Sequence, residues 1–131
     1  MIASIRMDPS TILLVDDDDG VRRILRKVLE AKPYVVVEKG LPRDACAVFD
    51  ADPGAIDLVV TDLKMPGMSG QDLAAHVWIV RPELRVLFIS GYTDLTYTET
   101  LNGTRSRYLE KPFTSDVLLQ QVAELLAEDL T

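Results

Sequence analysis

The 131-residue sequence is poor in the residue types that build several common kinds of site. It has one cysteine, Cys46, so an internal disulfide is excluded, and the apolar neighbours at 45–49 predict a buried, unreactive thiol. The one histidine, His76, falls within a predicted helix and has no second ligand at metal-site spacing. We therefore predict a surface side chain, not a metal ligand or a phosphohistidine.

Long apolar runs and an excess of basic residues are also missing. No stretch approaches the roughly 18 uncharged apolar residues of a membrane span. Residues 1–10, which we expect to be a loose leader, lack the apolar core and cleavage site of a signal peptide. These features predict a cytoplasmic protein without membrane insertion. The net charge of −7 argues against direct binding to nucleic acid, because phosphate backbones require basic patches.

What the sequence does contain is an alternation of short apolar runs with segments of helical period. The runs are unbroken rather than alternating, which is typical of strands buried on both faces. They cover residues 12–15, 34–37, 58–60, 86–89 and, more weakly, 108–109. The alternation predicts one α/β domain over residues 11–128, with a parallel sheet between two layers of helices.

Five helices are predicted around these strands, over residues 21–29, 42–50, 70–80, 93–101 and from 115 or 116 to 126. The fourth is the weakest, because it carries four threonines and little apolar patterning. Ser115 or Asp116 is the expected cap of the last helix. The residues expected to face the sheet from the first, third and last helices are Val21, Ile24, Leu25, Val28, Leu29, Leu73, Val77, Val80, Leu118, Val122, Leu125 and Leu126.

Polar side chains follow the predicted strands at one edge of the sheet, where ligand chemistry gathers in such folds. Asp16 and Asp17 follow the first strand, Asp62 the third, Ser90 the fourth and Lys111 the fifth. Neighbouring carboxylates repel unless a cation or protons intervene, and Mg²⁺ prefers oxygen ligands that include carboxylates and phosphates. A carboxylate can also attack phosphorus, with an ammonium and a hydroxyl on the other oxygens. The pattern predicts a magnesium-dependent phosphoryl-transfer site.

The acidic run continues beyond Asp17 with Asp18 and Asp19. Acidic residues in the first turn of a helix interact favourably with its dipole. We therefore assign Asp18 and Asp19 to the start of the first helix, and only Asp16 and Asp17 to the site.

In this order and spacing the sequence resembles the response-regulator receiver family of two-component signalling. The resemblance rests on Val15-Asp16-Asp17, on the segment from Asp62 to Gly67, on Ser90 and on Lys111-Pro112-Phe113, and it covers about residues 11–128. It implies a flavodoxin-like, doubly wound, five-stranded parallel sheet of order 2-1-3-4-5 with five helices.

The resemblance also implies a role for each matching residue. Asp62 would be the phosphoacceptor, and Mg²⁺ would be held by Asp17, Asp62 and the backbone carbonyl of Lys64, with Asp16 acting through water. Ser90 and Lys111 would contact the phosphoryl group, and the Lys111–Pro112 bond would be cis. Ser90 and Tyr108 would form the switch. The phosphoryl donor would be a histidine kinase or a histidine phosphotransfer protein, and the signal would pass to an output protein or to a parent hybrid kinase.

Several alternatives remain open from the sequence. The segment from Ser90 to Asp94 resembles receivers at the C-terminus of hybrid histidine kinases, but a stand-alone regulator fits equally well. We expect no enzymatic activity beyond self-phosphorylation and slow dephosphorylation. A metal-dependent phosphohydrolase would commonly carry an acid two residues beyond its nucleophile, where this chain has Lys64. A binding module that is never phosphorylated would be indicated by loss of an acid or of the lysine, and neither is lost.

Overall fold

The computed structural model describes residues 9–91 and 106–127. The strands are β1 (Thr11–Val15), β2 (Val35–Lys39), β3 (Leu58–Asp62), β4 (Arg85–Ser90) and β5 (Arg107–Glu110). The α-helices within these ranges are α1 (Asp19–Glu30), α2 (Pro42–Ala51), α3 (Gly70–Val80) and α4 (Ser115–Ala127), and a short 3₁₀ helix (Pro53–Ala55) follows α2. The first eight residues of the expected leader lie outside the described ranges.

The five strands form one sheet in the order β2-β1-β3-β4-β5, and each neighbouring pair is parallel. The predicted α/β class, the strand number and the order are thereby confirmed. Four of the five predicted helices lie in the described ranges, whereas the helix predicted over residues 93–101 lies outside them. The strand order reverses between β1 and β3, so the carboxyl ends of these two strands border the crevice where such folds bind ligands.

Two clusters of buried side chains lie on opposite faces of the sheet, as expected for strands that are apolar on both faces. Leu13 and Val15 of β1 pack with α2 and α3, whereas Ile12 and Leu14 pack with α1 and α4. All four side chains are fully buried. The sheet is thus covered by two helices on each face among the described residues, and its polar strand ends remain at the edge.

Three details of the helices differ from prediction. Ile24 is 64% exposed, because it is rotated by about 100° from Leu25, the centre of the buried stripe. Val80, the last residue of α3, is 56% exposed where the helix leaves the sheet. Thr114, not Ser115 or Asp116, caps α4, since its Oγ1 accepts a hydrogen bond from the N–H of Val117 at 3.2 Å.

Two other predictions about single residues are confirmed. Cys46 is buried on α2, with its Sγ 3.9 Å from the Sδ of Met68. His76 lies on the surface of α3, where its Nε2 is 2.8 Å from Oδ1 of Asp50. None of the helices in residues 9–91 and 106–127 is both long enough and apolar enough to cross a membrane.

Candidate functional site

Three carboxylates meet at the carboxyl edge of the sheet. Asp62 is the last residue of β3, and Asp16 and Asp17 directly follow β1, which pairs with β3. One oxygen from each carboxylate lies within 4.8 Å of the others. The structure therefore brings together the acids that the sequence predicted to converge.

Asp16 is the buried member of this acidic cluster, with 1% of its surface exposed. Its Oδ1 accepts a hydrogen bond from the N–H of Asp18 at 2.9 Å, whereas its buried Oδ2 has no hydrogen-bond partner among the described residues. Burial, with smaller contributions from the negative charges of Asp62 and Asp17, raises the pKa of Asp16 to about 6. Near neutral pH the carboxylate is therefore charged, buried and short of a partner, which favours a bound cation.

Asp62 is half-buried at the centre of the edge. Burial raises the pKa of its carboxyl group, and the negative charge of Asp17 acts in the same direction. The positive charge of Lys111 and hydrogen bonds from the backbone N–H groups of Leu63 and Lys64 oppose this rise. The environment thus supplies donors and a cation to the Asp62 carboxylate, which favour its ionised form against the effect of burial.

Ser90 and Lys111 complete the edge from the neighbouring strands. Ser90 is the last residue of β4 and is 3% exposed. The backbone N–H of Lys111, directly after β5, donates to the carbonyl oxygen of Ser90 at 2.7 Å. The Lys111–Pro112 peptide bond is cis, as the resemblance implied. These contacts fix the turn that carries Lys111 next to the strand end that carries Ser90.

Lys64 and Tyr108 occupy the positions expected from the sequence, but their roles stay predictions. Lys64 is exposed two residues after Asp62, and its N–H faces the Asp62 carboxylate. Tyr108 pairs in register with Phe88 of β4 and packs against the cluster beneath α2 and α3. Its buried hydroxyl has no hydrogen-bond partner among residues 9–91 and 106–127.

The acidic run divides as predicted. Asp18 is the N-cap of α1, since its Oδ1 accepts a hydrogen bond from the N–H of Val21 at 3.0 Å. Asp19 lies in the first turn of the same helix. Neither residue belongs to the cluster formed by Asp16, Asp17 and Asp62.

Sequence reasoning missed two residues that support the site. The Nη1 of Arg22 donates to the carbonyl oxygen of Asp16 at 2.7 Å. Gly70 packs against the peptide of Asp62 so closely that a side chain has no room. Only Gly70 leaves a signal in the sequence, since glycine is an unfavourable residue within a helix.

A groove beside the site is lined mainly by apolar side chains. It has a volume of about 280 Å³ and lies between α1 and the turn after β5. The exposed Ile24 is one of its walls, and Lys111 belongs to its lining. Its lining residues are Val21, Ile24, Leu25, Lys111, Pro112 and Phe113. An apolar surface therefore adjoins the charged strand ends.

Comparison with known proteins agrees with this fold. Residues 12–123 match the model of the response regulator receiver domain. The chain belongs to the response regulator receiver family. It is accordingly a receiver domain of two-component signalling, as the sequence predicted.

Among similar receivers, the response regulator receiver protein CpdR of Brucella abortus is 31% identical over 116 residues, which are 88% of this chain and 95% of CpdR. The sensor kinase CckA of the same organism is 31% identical over 118 residues, 89% of this chain but only 12% of the kinase. The crystal structure of the receiver domain from the hybrid histidine kinase CckA superposes with a TM-score of 0.77 at 31% identity, covering 89% of this chain and 99% of that one. The similarity thus includes both a short receiver protein and one segment of a long kinase.

Proposed function

We propose that residues 11–128 form a phosphoacceptor domain that takes a phosphoryl group onto Asp62 from a phosphohistidine. The observation that carries this proposal is the environment of the Asp62 carboxylate, which lies among Asp16, Asp17 and the charge of Lys111 at the edge of the sheet. Membership of the receiver family supports it. The donor would be a histidine kinase or a histidine phosphotransfer protein, and the reaction would take place in the cytoplasm.

The acidic cluster fits Mg²⁺ in its donor chemistry. All of its ligand atoms are carboxylate oxygens, and the buried Oδ2 of Asp16 lacks a hydrogen-bond partner among the described residues. We assign the ion to Asp17, Asp62 and the backbone carbonyl of Lys64, with Asp16 contributing through water. When bound, Mg²⁺ neutralises the carboxylates and the negative charge of the phosphoryl oxygens.

In the transfer step, a carboxylate oxygen of Asp62 attacks phosphorus and forms the new P–O bond. The P–N bond of the phosphohistidine breaks, and the imidazole nitrogen keeps the electron pair and takes a proton from solvent. The ammonium of Lys111 binds one phosphoryl oxygen, and the hydroxyl of Ser90 binds another. Lys111 also opposes the rise in the Asp62 pKa, which favours the ionised form of the acceptor.

The groove beside Lys111 suits the donor protein. It combines an exposed isoleucine with the turn that carries Lys111, so a docked helix would bring its phosphohistidine to the strand ends. Apolar contact would supply affinity, and the site would supply the chemistry. This docking surface is distinct from the surface that would respond to phosphorylation.

The response would pass through Ser90 and Tyr108. Ser90 of β4 pairs in register with Glu110 of β5, and Tyr108 lies two residues before Glu110 on β5. Movement of the Ser90 hydroxyl toward the phosphoryl group would vacate space into which the Tyr108 ring turns. The face that includes β5 and α4 would then change shape for an output protein or for a parent hybrid kinase.

The test is the intact mass of the full chain after incubation with acetyl phosphate and Mg²⁺. We expect a gain of one phosphoryl group that requires Mg²⁺ and is absent from Asp62→Asn. Asp50→Asn is the matched control, because Asp50 is exposed on α2 and lies outside the acidic cluster.

No gain in folded protein, either from acetyl phosphate or from a phosphorylated histidine phosphotransfer protein, would overturn the proposal in favour of a binding module without phosphorylation. Rapid, Mg²⁺-dependent release of phosphate through many turnovers would instead favour the phosphohydrolase.

A further inference from the structure

An arginine side chain binds the backbone of the turn between β1 and α1. Arg22 lies in the first turns of α1, and its Nη1 donates to the carbonyl oxygen of Asp16 at 2.7 Å. Its Nε donates to Oε1 of Glu38 on β2 at 2.9 Å, and its Nη2 donates to Oδ1 of Asp19 at 2.7 Å. The side chain is 15% exposed, so the guanidinium is held from three directions in a largely buried position.

The neighbouring strand leaves room for this guanidinium. Gly40 directly follows β2, and a Cβ atom there would lie 2.8 Å from Nη1 of Arg22. The backbone N–H of Asp16 also points toward β2, donating to the carbonyl oxygen of Lys39 at 3.3 Å. The backbone of Asp16 is thus held on its amide side by β2 and on its carbonyl side by Arg22.

The carbonyl that Arg22 holds belongs to the peptide that joins Asp16 to Asp17. A peptide is planar, so fixing its oxygen fixes the direction in which the chain leaves toward Asp17. Both carboxylates of the turn belong to the acidic cluster with Asp62. The orientation of this one peptide therefore contributes to how two of the three carboxylates face the third.

We propose that Arg22 is a positioning residue that sets the affinity of the acidic cluster for a divalent cation by holding the carbonyl of Asp16. The inference rests on the proposed function, because it concerns the same metal site. Groups that orient metal ligands without touching the metal commonly change its affinity 10- to 100-fold when they are removed.

Arg26 supplies a matched control. It lies one turn further along α1 and donates from Nη1 to Oε2 of Glu38 at 2.6 Å and from Nε to Oε1 of Glu30 at 3.2 Å. The bonds described for it connect α1 to β2 in the same way, but none reaches Asp16. Arg26→Gln therefore removes the same charge and the same kind of helix-to-strand contact, and leaves the Asp16 carbonyl held.

The sign of the effect separates positioning from electrostatics. Removing a positive charge near three carboxylates strengthens the attraction of the cluster for a cation. If Arg22 acted only through its charge, Arg22→Gln would bind Mg²⁺ more tightly. We expect the opposite, a loss of about tenfold or more in Mg²⁺ affinity, with Arg26→Gln within about twofold of wild type because exposed ion pairs contribute little.

The experiment is calorimetric titration of magnesium chloride into the full chain, for wild type, Arg22→Gln, Arg22→Lys and Arg26→Gln. Unfolding in urea identifies any variant that is not folded. The second readout uses no metal. Amide exchange at Asp18, whose N–H bonds to the Asp16 carboxylate, should be faster in Arg22→Gln than in Arg26→Gln. Arg22→Lys keeps the charge and one donor, so we expect intermediate Mg²⁺ affinity.

Each outcome has a distinct meaning. If wild type binds no Mg²⁺, the metal site of the proposed function fails. If wild type binds Mg²⁺ and folded Arg22→Gln binds equally well or better, the positioning role is overturned. Equal weakening in Arg22→Gln and Arg26→Gln would also overturn it. If Arg22→Gln does not fold, Arg22→Lys decides by the same comparison with Arg26→Gln.

Discussion

A Cβ atom on Gly70 would lie 2.3 Å from the carbonyl oxygen of Asp62, so the first residue of α3 packs directly on the peptide of Asp62. The N–H of Gly70 also donates to the carbonyl oxygen of Leu63 at 2.9 Å. Ser69, which precedes Gly70, forms a reciprocal capping box with Asp72 that begins the helix at this point. The start of α3 is thereby fixed against the end of β3.

Gly70→Ala should therefore disturb both stability and phosphorylation. The added methyl group meets backbone atoms, which cannot move aside as a flexible side chain would, so we expect a loss of about 1–3 kcal/mol in the free energy of unfolding. Urea denaturation measures the loss. Phosphorylation by acetyl phosphate should be slower in the folded variant, because Asp62 is displaced.

The control for this substitution is Gly20→Ala in the first turn of α1. A Cβ atom there meets only the carboxylate oxygen of Asp18, at an ordinary 3.4 Å. Alanine is the better helix former, so we expect no loss or a gain of up to about 1 kcal/mol. Equal stability of Gly70→Ala and wild type would contradict the close packing at Asp62.

Asp16 should make the stability depend on pH in the absence of metal. The pKa is raised from 3.8 to about 6 in the folded protein, so protonated Asp16 favours folding. That contribution is fully present below pH 3.8 and is lost as the pH rises through about 6. At 1.36 kcal/mol per pKa unit the loss is about 3 kcal/mol. In EDTA, the free energy of unfolding of Asp16→Asn relative to wild type should therefore increase by about this amount between pH 4 and pH 8. Urea denaturation measures it.

Magnesium supplies the control for the Asp16 prediction. A ligand that binds only the folded state stabilises it by mass action. Saturating Mg²⁺ should therefore reduce the difference in free energy of unfolding between wild type and Asp16→Asn at pH 8. Asp50→Asn, outside the cluster, removes only an exposed ion pair with His76, so its change over the same pH range should not exceed about 1 kcal/mol. A difference in free energy of unfolding that stays constant from pH 4 to pH 8 would contradict an environment that disfavours the charged Asp16 carboxylate.

Ile24→Glu should affect phosphorylation by a donor protein but not phosphorylation by acetyl phosphate. Ile24 is 64% exposed, so the substitution should leave stability within about 0.5 kcal/mol. Phosphotransfer from a phosphorylated histidine phosphotransfer protein should slow about tenfold or more, as at a central interface residue, while phosphorylation by acetyl phosphate stays unchanged. Ile79→Glu, at an 83% exposed site on α3, should affect neither reaction. Equal transfer rates for both variants would exclude the groove as the docking surface.

Tyr108→Phe should have little cost in stability. The hydroxyl is buried without a hydrogen-bond partner in the described parts of the chain, so its removal should be neutral or stabilising by about 1 kcal/mol. The mass gain with acetyl phosphate should stay at one phosphoryl group. Tyr108→Ala is the contrasting variant, because loss of the ring removes packing against the core, at about 2 kcal/mol or more. Destabilisation by Tyr108→Phe would contradict this expectation.

The sequence was sufficient to predict where the acids meet. Parallel strands in one sheet end at the same edge, so Asp16 and Asp62 had to become neighbours once the strands were assigned correctly. The assignment of Asp18 and Asp19 to the start of the first helix followed from local chemistry in the same way. These predictions succeeded because they depend on strand period and on contacts within three residues.

Other features depend on geometry that no local pattern contains. Thr114, Ser115 and Asp116 can all cap a helix, and the turn after the Lys111–Pro112 bond decides which one does. The bond from Arg22 to the Asp16 carbonyl ends on a backbone atom, so no pairing of side-chain types could predict it. Ile24 fits the helical period, but the width of the buried stripe on α1 decides its exposure.

The two clusters of buried side chains share no helix among the described residues. The chain leaves Asp62 toward α3 on one face of the sheet and leaves Lys111 toward α4 on the other. Proteins open in cooperative parts at a lower free energy than global unfolding. A transient opening that detaches α4 alone would loosen the turn that carries Lys111, while β1, β3 and α3 remain folded. The lifetime of an aspartyl phosphate on this chain would then depend on the less stable of the two helical layers.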